Sequence, residues 1–340
     1  MEQTTDFADY VSYSYDESLF NKPCDKVDIY VFAANLTTIL NSLFFVFSII
    51  GNCLVLWILI KYENLVSLTN VFIFNLSIAD LIFTSWLPFF IVYHRRGWVF
   101  GSVACKIFNA LFSIGFYSGI IFLTCMTFHR YLSVVDPVSA MKTRKPIFGI
   151  MASLISWIIS IVASLPVIIF KTQTNSDGFQ SCEYNDLIPK LVSNYQQNVS
   201  FLVAFAVIIF CYYKIIKTLL RSRSQRNHKP VKLILIIVVV YFISWAPYNV
   251  VLLLQSLHLQ QFFMDCELIK SIDYAKYISE KLAISHCCLN PILYAFVGIK
   301  FRRHLKHFLH HYRPCNNQDE LANSVRIHSN DFYHEDGSLY

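Results

Sequence analysis

The chain has 340 residues, 55% of them hydrophobic and only 15% charged, and its mean hydropathy is +0.47. A soluble domain averages about 25% charged residues, so this composition excludes a soluble globular fold and indicates a multi-span membrane protein. The net charge of +6 does not indicate a nucleic-acid partner, because the basic residues sit in short segments between apolar stretches.

Nearly charge-free stretches able to cross about 30 Å of hydrocarbon run Phe32 to Ile60, Leu65 to Tyr93, Ile107 to Phe128, Pro146 to Phe170, Leu191 to Tyr213 and Leu233 to Met264. A seventh, Leu282 to Ile299, is short. It reaches span length only when extended back through Glu280 and Lys281, with Glu280 facing protein or water. Backbone groups in lipid must be satisfied within each segment, so the expected fold is an all-α membrane protein, a seven-transmembrane helix bundle. Lys142, Arg144 and Lys145, then Arg221, Arg223, Arg226, Lys229 and Lys232, then Lys300, Arg302, Arg303 and Lys306 mark the cytoplasmic side. The N-terminus is therefore outside and the C-terminus inside, with His94-Arg95-Arg96 the one counter-signal. The first thirty residues are acidic and polar, unlike a cleavable leader, so span one is expected to serve as its own targeting signal. This divides the chain into an outer tail (1–31), the bundle (32–299), a short amphipathic helix (300–313) and a cytoplasmic tail (314–340).

In chain order, the outer tail interleaves Tyr10, Tyr13 and Tyr15 with Asp9, Asp16 and Glu17 and has little to build a core. It reads as a flexible anionic strand for a basic protein partner, with the tyrosines open to sulfation. Span one carries Gly51-Asn52 and span two Asp80. An aspartate at mid-membrane costs about 2.5–3.5 kcal/mol on insertion scales, so Asp80 needs polar partners, and Asn52 and Asn290 supply the economical cluster. Span three places Phe112, Gly115, Phe116, Gly119, Leu123, Met126 and Arg130 at steps of three and four. Arg130 then lies about 27 Å below Phe112 on an inward face, which argues against a lipid-snorkelling anchor. Span six carries Ser244-Trp245-Ala246-Pro247-Tyr248, where proline kinks the helix between aromatics. Span seven repeats the device at Asn290-Pro291-Ile292-Leu293-Tyr294, with Tyr294 one turn below Asn290.

Cys24, Cys105, Cys182 and Cys266 fall in outer segments, and their even number suits two disulfides of open pairing. Cys53, Cys125, Cys211, Cys287 and Cys288 lie within spans as packing thiols. Cys287-Cys288 beside His286 is not read as a metal site, because adjacent helical residues diverge by about 100°. Cys315 follows the basic amphipathic run Lys300 to Leu309 and is a candidate palmitoylation site. Asn35, Asn75 and Asn198 match the glycosylation pattern, yet all lie in or against spans, and Asn75 is read as a chance match.

Taken together, Gly51-Asn52, the Leu76 to Leu81 run with Asp80, Arg130-Tyr131, Trp245-Ala246-Pro247 and Asn290-Pro291-Ile292-Leu293-Tyr294 resemble the rhodopsin-like G-protein-coupled receptors, one motif per appropriate span. The acidic tyrosine tail, Leu87-Pro88, Trp98-Val99-Phe100-Gly101, Ser285 to Pro291 and Phe296 to Arg302 narrow the resemblance to chemokine receptors. His129 to Val135, Leu220 to Ser224 with Val231 to Ile234, and Ser244 to Asn249 look most like the branch that takes C-type, lymphotactin-like chemokines. The resemblance implies disulfides Cys105–Cys182 and Cys24–Cys266, and location in the plasma membrane as a multi-pass protein. It further implies a secreted basic chemokine as ligand and coupling to an inhibitory-class heterotrimeric G protein, with calcium mobilisation, chemotaxis and arrestin binding. Ligand contacts are then expected at Tyr10, Tyr13, Tyr15, Asp16, Glu17, Phe90, Tyr93, Trp98, Phe112, Tyr248 and Glu280, the last matching an acid that meets a ligand's amino-terminal amine. Activation residues are expected at Asn52, Asp80, His129, Arg130, Tyr131, Tyr212, Trp245, Pro247, Asn290, Pro291 and Tyr294.

Departures from the family are informative. His129 stands where an acid usually precedes the arginine, so a local carboxylate clamp on Arg130 is missing and looser restraint of the inactive state is expected. Span five has Ala204 near the place of its usual proline, and Trp86 stands where threonine is common. Gly119 and Cys287 occupy positions that are often polar around Asp80, so the sodium pocket is incomplete, and no metal or other cofactor is expected. The rival readings are a non-signalling chemokine scavenger, kept open by His129, and a receptor for another chemokine subclass. A transporter would need an inverted repeat or a second intramembrane acid beside Asp80, and an intramembrane enzyme a reactive His-Glu or Ser-His pairing; neither is found.

Overall fold

A computed structural model describes residues 26–63, 65, 67–142, 145–176, 179–221, 228–262 and 265–297. Tyr10, Tyr13, Tyr15, Asp16, Glu17, Cys24, the expected amphipathic helix at 300–313 and Cys315 lie outside the described residues. Six helical segments are long and apolar enough to cross a membrane: Val27–Tyr62, Leu68–Arg96, Gly101–Val135, Pro146–Phe170, Leu187–Arg221 and Ile234–Leu259. The seventh span is built from two helices, Cys266–Ile284 and His286–Val297. They are continuous in direction, because Ser285 between them keeps helical dihedrals (φ −57°, ψ −22°) and its N–H reaches Lys281 O at 3.1 Å. Span one starts at Val27, five residues before its charge-free stretch, and the bundle is all helical as the composition requires.

Two further spans are divided by proline. Span two is α2 (Leu68–Ser85) and α3 (Leu87–Arg96), joined through Trp86, with Pro88 in the first turn of α3. Span four is α6 (Pro146–Ala163) and α7 (Leu165–Phe170), joined through Ser164 ahead of Pro166. Proline lacks the N–H that would continue the ladder and crowds the carbonyl four residues back, so each helix bends there. Spans one (α1, Val27–Tyr62), three (α4, Gly101–Val135), five (α8, Leu187–Arg221) and six (α9, His228–Leu259) are single helices, although Pro247 lies within α9. α5 (Pro137–Lys142) follows span three on the inner side, and span seven comprises α10 (Cys266–Ile284) and α11 (His286–Val297).

Sequence patterning missed one element. Lys171–Ser176 (β1) and Phe179–Tyr184 (β2) form an antiparallel hairpin over the outer mouth, with Gln173 opposite Cys182. Its strands are polar and carry no alternating apolar face, so nothing in the sequence marks them as strands.

The inward stripe of span three is as expected. Phe116, Leu123 and Met126 are buried in the core with Phe83, Phe122, Tyr241 and Trp245. Close approach needs glycine at two contacts. A Cβ on Gly115 would stand 2.7 Å from Phe83 Cβ and 3.2 Å from its Cα, and one on Gly51 2.8 Å from Pro291 Cβ. Gly119 is different, since the nearest atom to a Cβ there would be the Tyr241 hydroxyl at 3.6 Å. We therefore expect Gly115→Ala to destabilise the detergent-solubilised protein by about 1–3 kcal/mol through overpacking against backbone. Gly119→Ala should stay within about 0.5 kcal/mol, both read from thermal unfolding.

Candidate functional site

The polar centre forms where spans one, two and seven meet. Asn290 Nδ2 donates to Asp80 Oδ2 at 2.8 Å, giving the buried carboxylate the partner it requires. Asn52 joins by a different route from the one expected. Its amide donates to Ser48 O at 3.0 Å and to Cys287 O at 3.0 Å, so it ties span one to the span-seven backbone. Ser48 in turn bonds Thr84 Oγ1 at 2.6 Å, and Thr84 donates to Asp80 O. The hydroxyl chain from span one thus ends on the Asp80 backbone carbonyl, while the Asp80 carboxylate accepts from Asn290.

His286 belongs to this centre, and the sequence reading did not place it there. It is buried among Phe83, Tyr241 and Trp245, at ring-centroid distances of 5.4, 5.2 and 5.4 Å. Its Nδ1 bonds Ala283 O and, since a carbonyl only accepts, carries the hydrogen. Nε2 stands 3.5 Å from Asp80 Oδ1. Asp80, His286 and Cys287 place potential metal-binding atoms within 4.8 Å of one another. However, Cys287 Sγ is 3.9 Å from His286 Nδ1 and 3.6 Å from Nε2, so it lies beside the ring and off the Nε2 lone pair. A metal on Nε2 could not reach that sulfur without rotation of the side chain. Gly119 offers no side-chain oxygen and Cys287 only sulfur, whereas Asn52 Oδ1 and Asn290 Oδ1 find no hydrogen-bond partner among the described residues.

At the inner end Arg130 faces the bundle and not lipid. Its Nη2 donates to Thr69 Oγ1 on span two at 3.0 Å, and Tyr212 of span five lies within electrostatic range. His129 supplies no charge-paired clamp; its Nδ1 finds no hydrogen-bond partner among the described residues. The hydrogen-bond partner of Arg130 is therefore a neutral hydroxyl and not a carboxylate. Tyr131 packs on Phe128 and Phe210, facing away from Arg130's partner, while Tyr212 and Tyr294 are buried.

The outer site is aromatic. Trp86 stacks on Phe90 at 4.0 Å, Phe90 meets His94 at 4.1 Å and Tyr93 at 6.2 Å, and Trp86 meets Phe112 at 5.1 Å. Phe112 continues inward to Trp245 at 6.3 Å, and Trp245 meets Tyr248 at 5.9 Å. Trp245 is fully buried two residues before Pro247, as a hinge contact would require. Glu280 is 5% exposed, and Lys281 lies 3.5 Å from it.

Trp98 packs against Tyr93, with ring centroids 5.7 Å apart, at the base of the hairpin. At 1% exposure it packs with the Cys105–Cys182 disulfide, donates Nε1 to Gly101 O at 2.8 Å, and its backbone N–H bonds Gln180 O of the hairpin at 2.7 Å. It fastens the hairpin to the first outer loop. Cys266 is also disulfide-bonded, while its expected partner Cys24 lies outside the described residues. Beneath the hairpin Lys171 donates to Asn109 Oδ1 at 2.6 Å, and Asn109 donates to Cys182 Sγ at 3.1 Å. Burial pushes the Lys171 ammonium down to about 8, opposed by the nearby Glu183 carboxylate.

The family model for the 7 transmembrane receptor (rhodopsin family) matches residues 51–294. Chemokine XC receptor 1 of Homo sapiens is 45% identical over 322 residues, 95% of each chain. Chemokine XC receptor 1 of Mus musculus is 42% identical over 100% of both, and C-C chemokine receptor type 3 of Cavia porcellus 40% identical over 91% of this chain and 87% of its own. This chain is a chemokine receptor of the rhodopsin family. As such it is a multi-pass protein of the plasma membrane and a signalling receptor, not an enzyme.

Within the receptor, Lys281, His286, Thr69, Trp86, Asn109 and Lys171 are residues to which sequence reasoning assigned no site role. A signal existed for Lys281 and His286, since an ionisable side chain inside a span needs an account. Thr69 and Asn109 carry no such signal, because either reads as an ordinary polar residue until packing assigns its partner. Of the glycosylation patterns, Asn75 bonds Ser153 and accepts from Trp157 Nε1 at 2.9 Å and Asn198 is buried, whereas Asn35 is exposed and accepts from Arg95 at 3.3 Å. Replacing Trp98 should separate packing from hydrogen bonding. Trp98→Ala is expected to cost about 3–5 kcal/mol in thermal unfolding of the purified receptor, and Trp98→Phe about 1 kcal/mol more than packing alone.

Proposed function

We propose that the receptor binds a small secreted basic chemokine of the C type and activates an inhibitory-class heterotrimeric G protein, leading to calcium mobilisation and chemotaxis. Arrestin is the second cytoplasmic partner in this reading. The ligand class follows from the relatives named as XC receptors and from the anionic outer tail. The acidic tail captures the basic body of the ligand by opposite charge, and the ligand's flexible amino terminus then enters among Phe90, Tyr93, Phe112, Tyr248 and Glu280.

The observation that carries the reading is the unbroken aromatic line from the outer mouth through Trp86 and Phe112 to Trp245. Trp245 is buried where Pro247 interrupts span six, so a ligand pressing on Phe112 acts at the bend. An occupant that favours the bent-out form shifts an existing equilibrium, and only its differential affinity does so. At the inner end the shift exchanges Arg130's bond to Thr69 for contacts with the G protein, with Tyr212 and Tyr294 rearranging beside it. No cofactor enters this reading of the mechanism.

Cells expressing the receptor should lower cyclic AMP when given a C-type chemokine, and pertussis toxin should abolish the response. Binding with no such response would identify a scavenger, and a response only to another chemokine subclass would reject the C-type assignment. Replacing Tyr10, Tyr13 and Tyr15 by Phe should weaken capture, and unchanged affinity would remove the tail from the account.

The altered arginine neighbourhood makes a separate prediction. Thr69→Val removes a hydrogen bond to a charged group, a contribution of about 1.5–3 kcal/mol, and should raise ligand-free signalling severalfold. His129→Asp restores a carboxylate and should lower it. Ligand-free nucleotide exchange at matched surface expression is the measurement.

A further inference from the structure

Four buried polar atoms near the outer site lie on residues with no role so far. Thr37 and Asn41 of span one are 0% exposed and one turn apart, and Thr37 Oγ1, Asn41 Oδ1 and Asn41 Nδ2 find no hydrogen-bond partner among the described residues. Lys281 of span seven is 2% exposed, and its ammonium also lacks one. It approaches Glu280 Oε1 only at 3.5 Å, beyond the ordinary N–H···O range, and sits 4.8 Å from the centre of the Phe90 ring.

These atoms share one level of the bundle. Spans one and seven run side by side in the same direction, registered by Phe32 on Tyr274, Cys288 Sγ on Phe44 O, and Gly51 against Pro291. Interpolating between those contacts sets residues 37–41 beside residues 279–284. The wall between spans one, two and seven therefore carries donors and acceptors that the protein itself leaves unmet.

Charge decides what suits them. Glu280 is already neutralised by Lys281, so an incoming ammonium can take the carboxylate only by leaving a bare cation in a water-poor site. The exchange becomes favourable when the same ligand delivers an acceptor to Lys281, which has three N–H donors and only an aromatic face and one long ion contact to satisfy them. We propose that Lys281, Asn41 and Thr37 form the acceptor-binding half of a two-charge seat. Glu280 takes the amino-terminal ammonium of the chemokine, and Lys281 takes a carboxylate on one of its first residues, with Asn41 and Thr37 completing the hydrogen bonds. The seat rests on the chemokine reading above and adds to it a preference for an acidic ligand tip.

The test uses a recombinant C-type chemokine carrying glutamate or glutamine at each of its first three positions, on cells expressing the wild-type receptor, Lys281→Met, Lys281→Arg or Asn41→Leu. Binding of the labelled chemokine reports capture, and cyclic AMP reports entry. At one of the three positions the wild type should lose roughly tenfold or more in signalling potency on changing glutamate to glutamine, with capture little altered. Lys281→Met should shrink that ratio to about twofold or less, Asn41→Leu should reduce it, and Lys281→Arg should retain it, all at matched surface expression. No acid preference in the wild type at any position, or a preference that survives Lys281→Met, overturns the seat while leaving the chemokine reading intact. Absence of any chemokine binding overturns both. Should Lys281→Met fail to reach the surface, the wild-type ligand series still decides.

Discussion

A carboxylate in hydrocarbon must obtain its hydrogen bonds from its neighbours, and the rest of this receptor is arranged around how Asp80 obtains them. Span seven supplies Asn290 directly and places His286 beside it, while Ser48 of span one bonds Thr84, whose hydroxyl donates to the Asp80 backbone carbonyl. Asn52 fastens span one to the carbonyl of Cys287, where Pro291 below has bent the helix. Lipid offers no competing hydrogen bonds, so these few contacts hold three helices at one depth. The close seat of Gly51 on Pro291 follows from the same arrangement.

Above and below that depth the bundle changes character. Outward, the contacts are aromatic, from Phe83 and Phe112 to Trp86 and Phe90, and they surround a pair of adjacent charges on span seven. Inward, the main charge is Arg130, held by a neutral hydroxyl where a carboxylate is usual. Trp245 and His286 touch each other at the level between. Trp245, beside Pro247 on span six, therefore touches both the aromatic column and the surroundings of Asp80.

Much of this was legible in the residues. The seven spans, their orientation and the inward face of Arg130 follow from hydropathy, charge placement and a three-to-four spacing. Asp80 announced its need for partners, because an ionisable group in mid-membrane has few ways to be tolerated, and Asn290 proved to be one. Asn52 shows the limit: it was expected at the carboxylate and instead serves a backbone carbonyl. Trp98 shows another, since its motif marks the outer loop but its depth beneath the hairpin depends on the disulfide. The hairpin itself, built from polar residues, had no pattern to reveal it.

What the sequence determined alone was membership of a solvent and a topology: which segments lie in lipid, which way they run, and which polar residues must turn inward. Those follow from transfer free energies, which act on each residue wherever its neighbours are. Only the tertiary structure decided the pairings. That Thr69 bonds Arg130, that Lys281 lies over the Phe90 ring, and that His286 stands against Asp80 depend on helix register and rotation. Hydrogen bonds act over about 3 Å, and a turn of helix displaces a side chain by more than that.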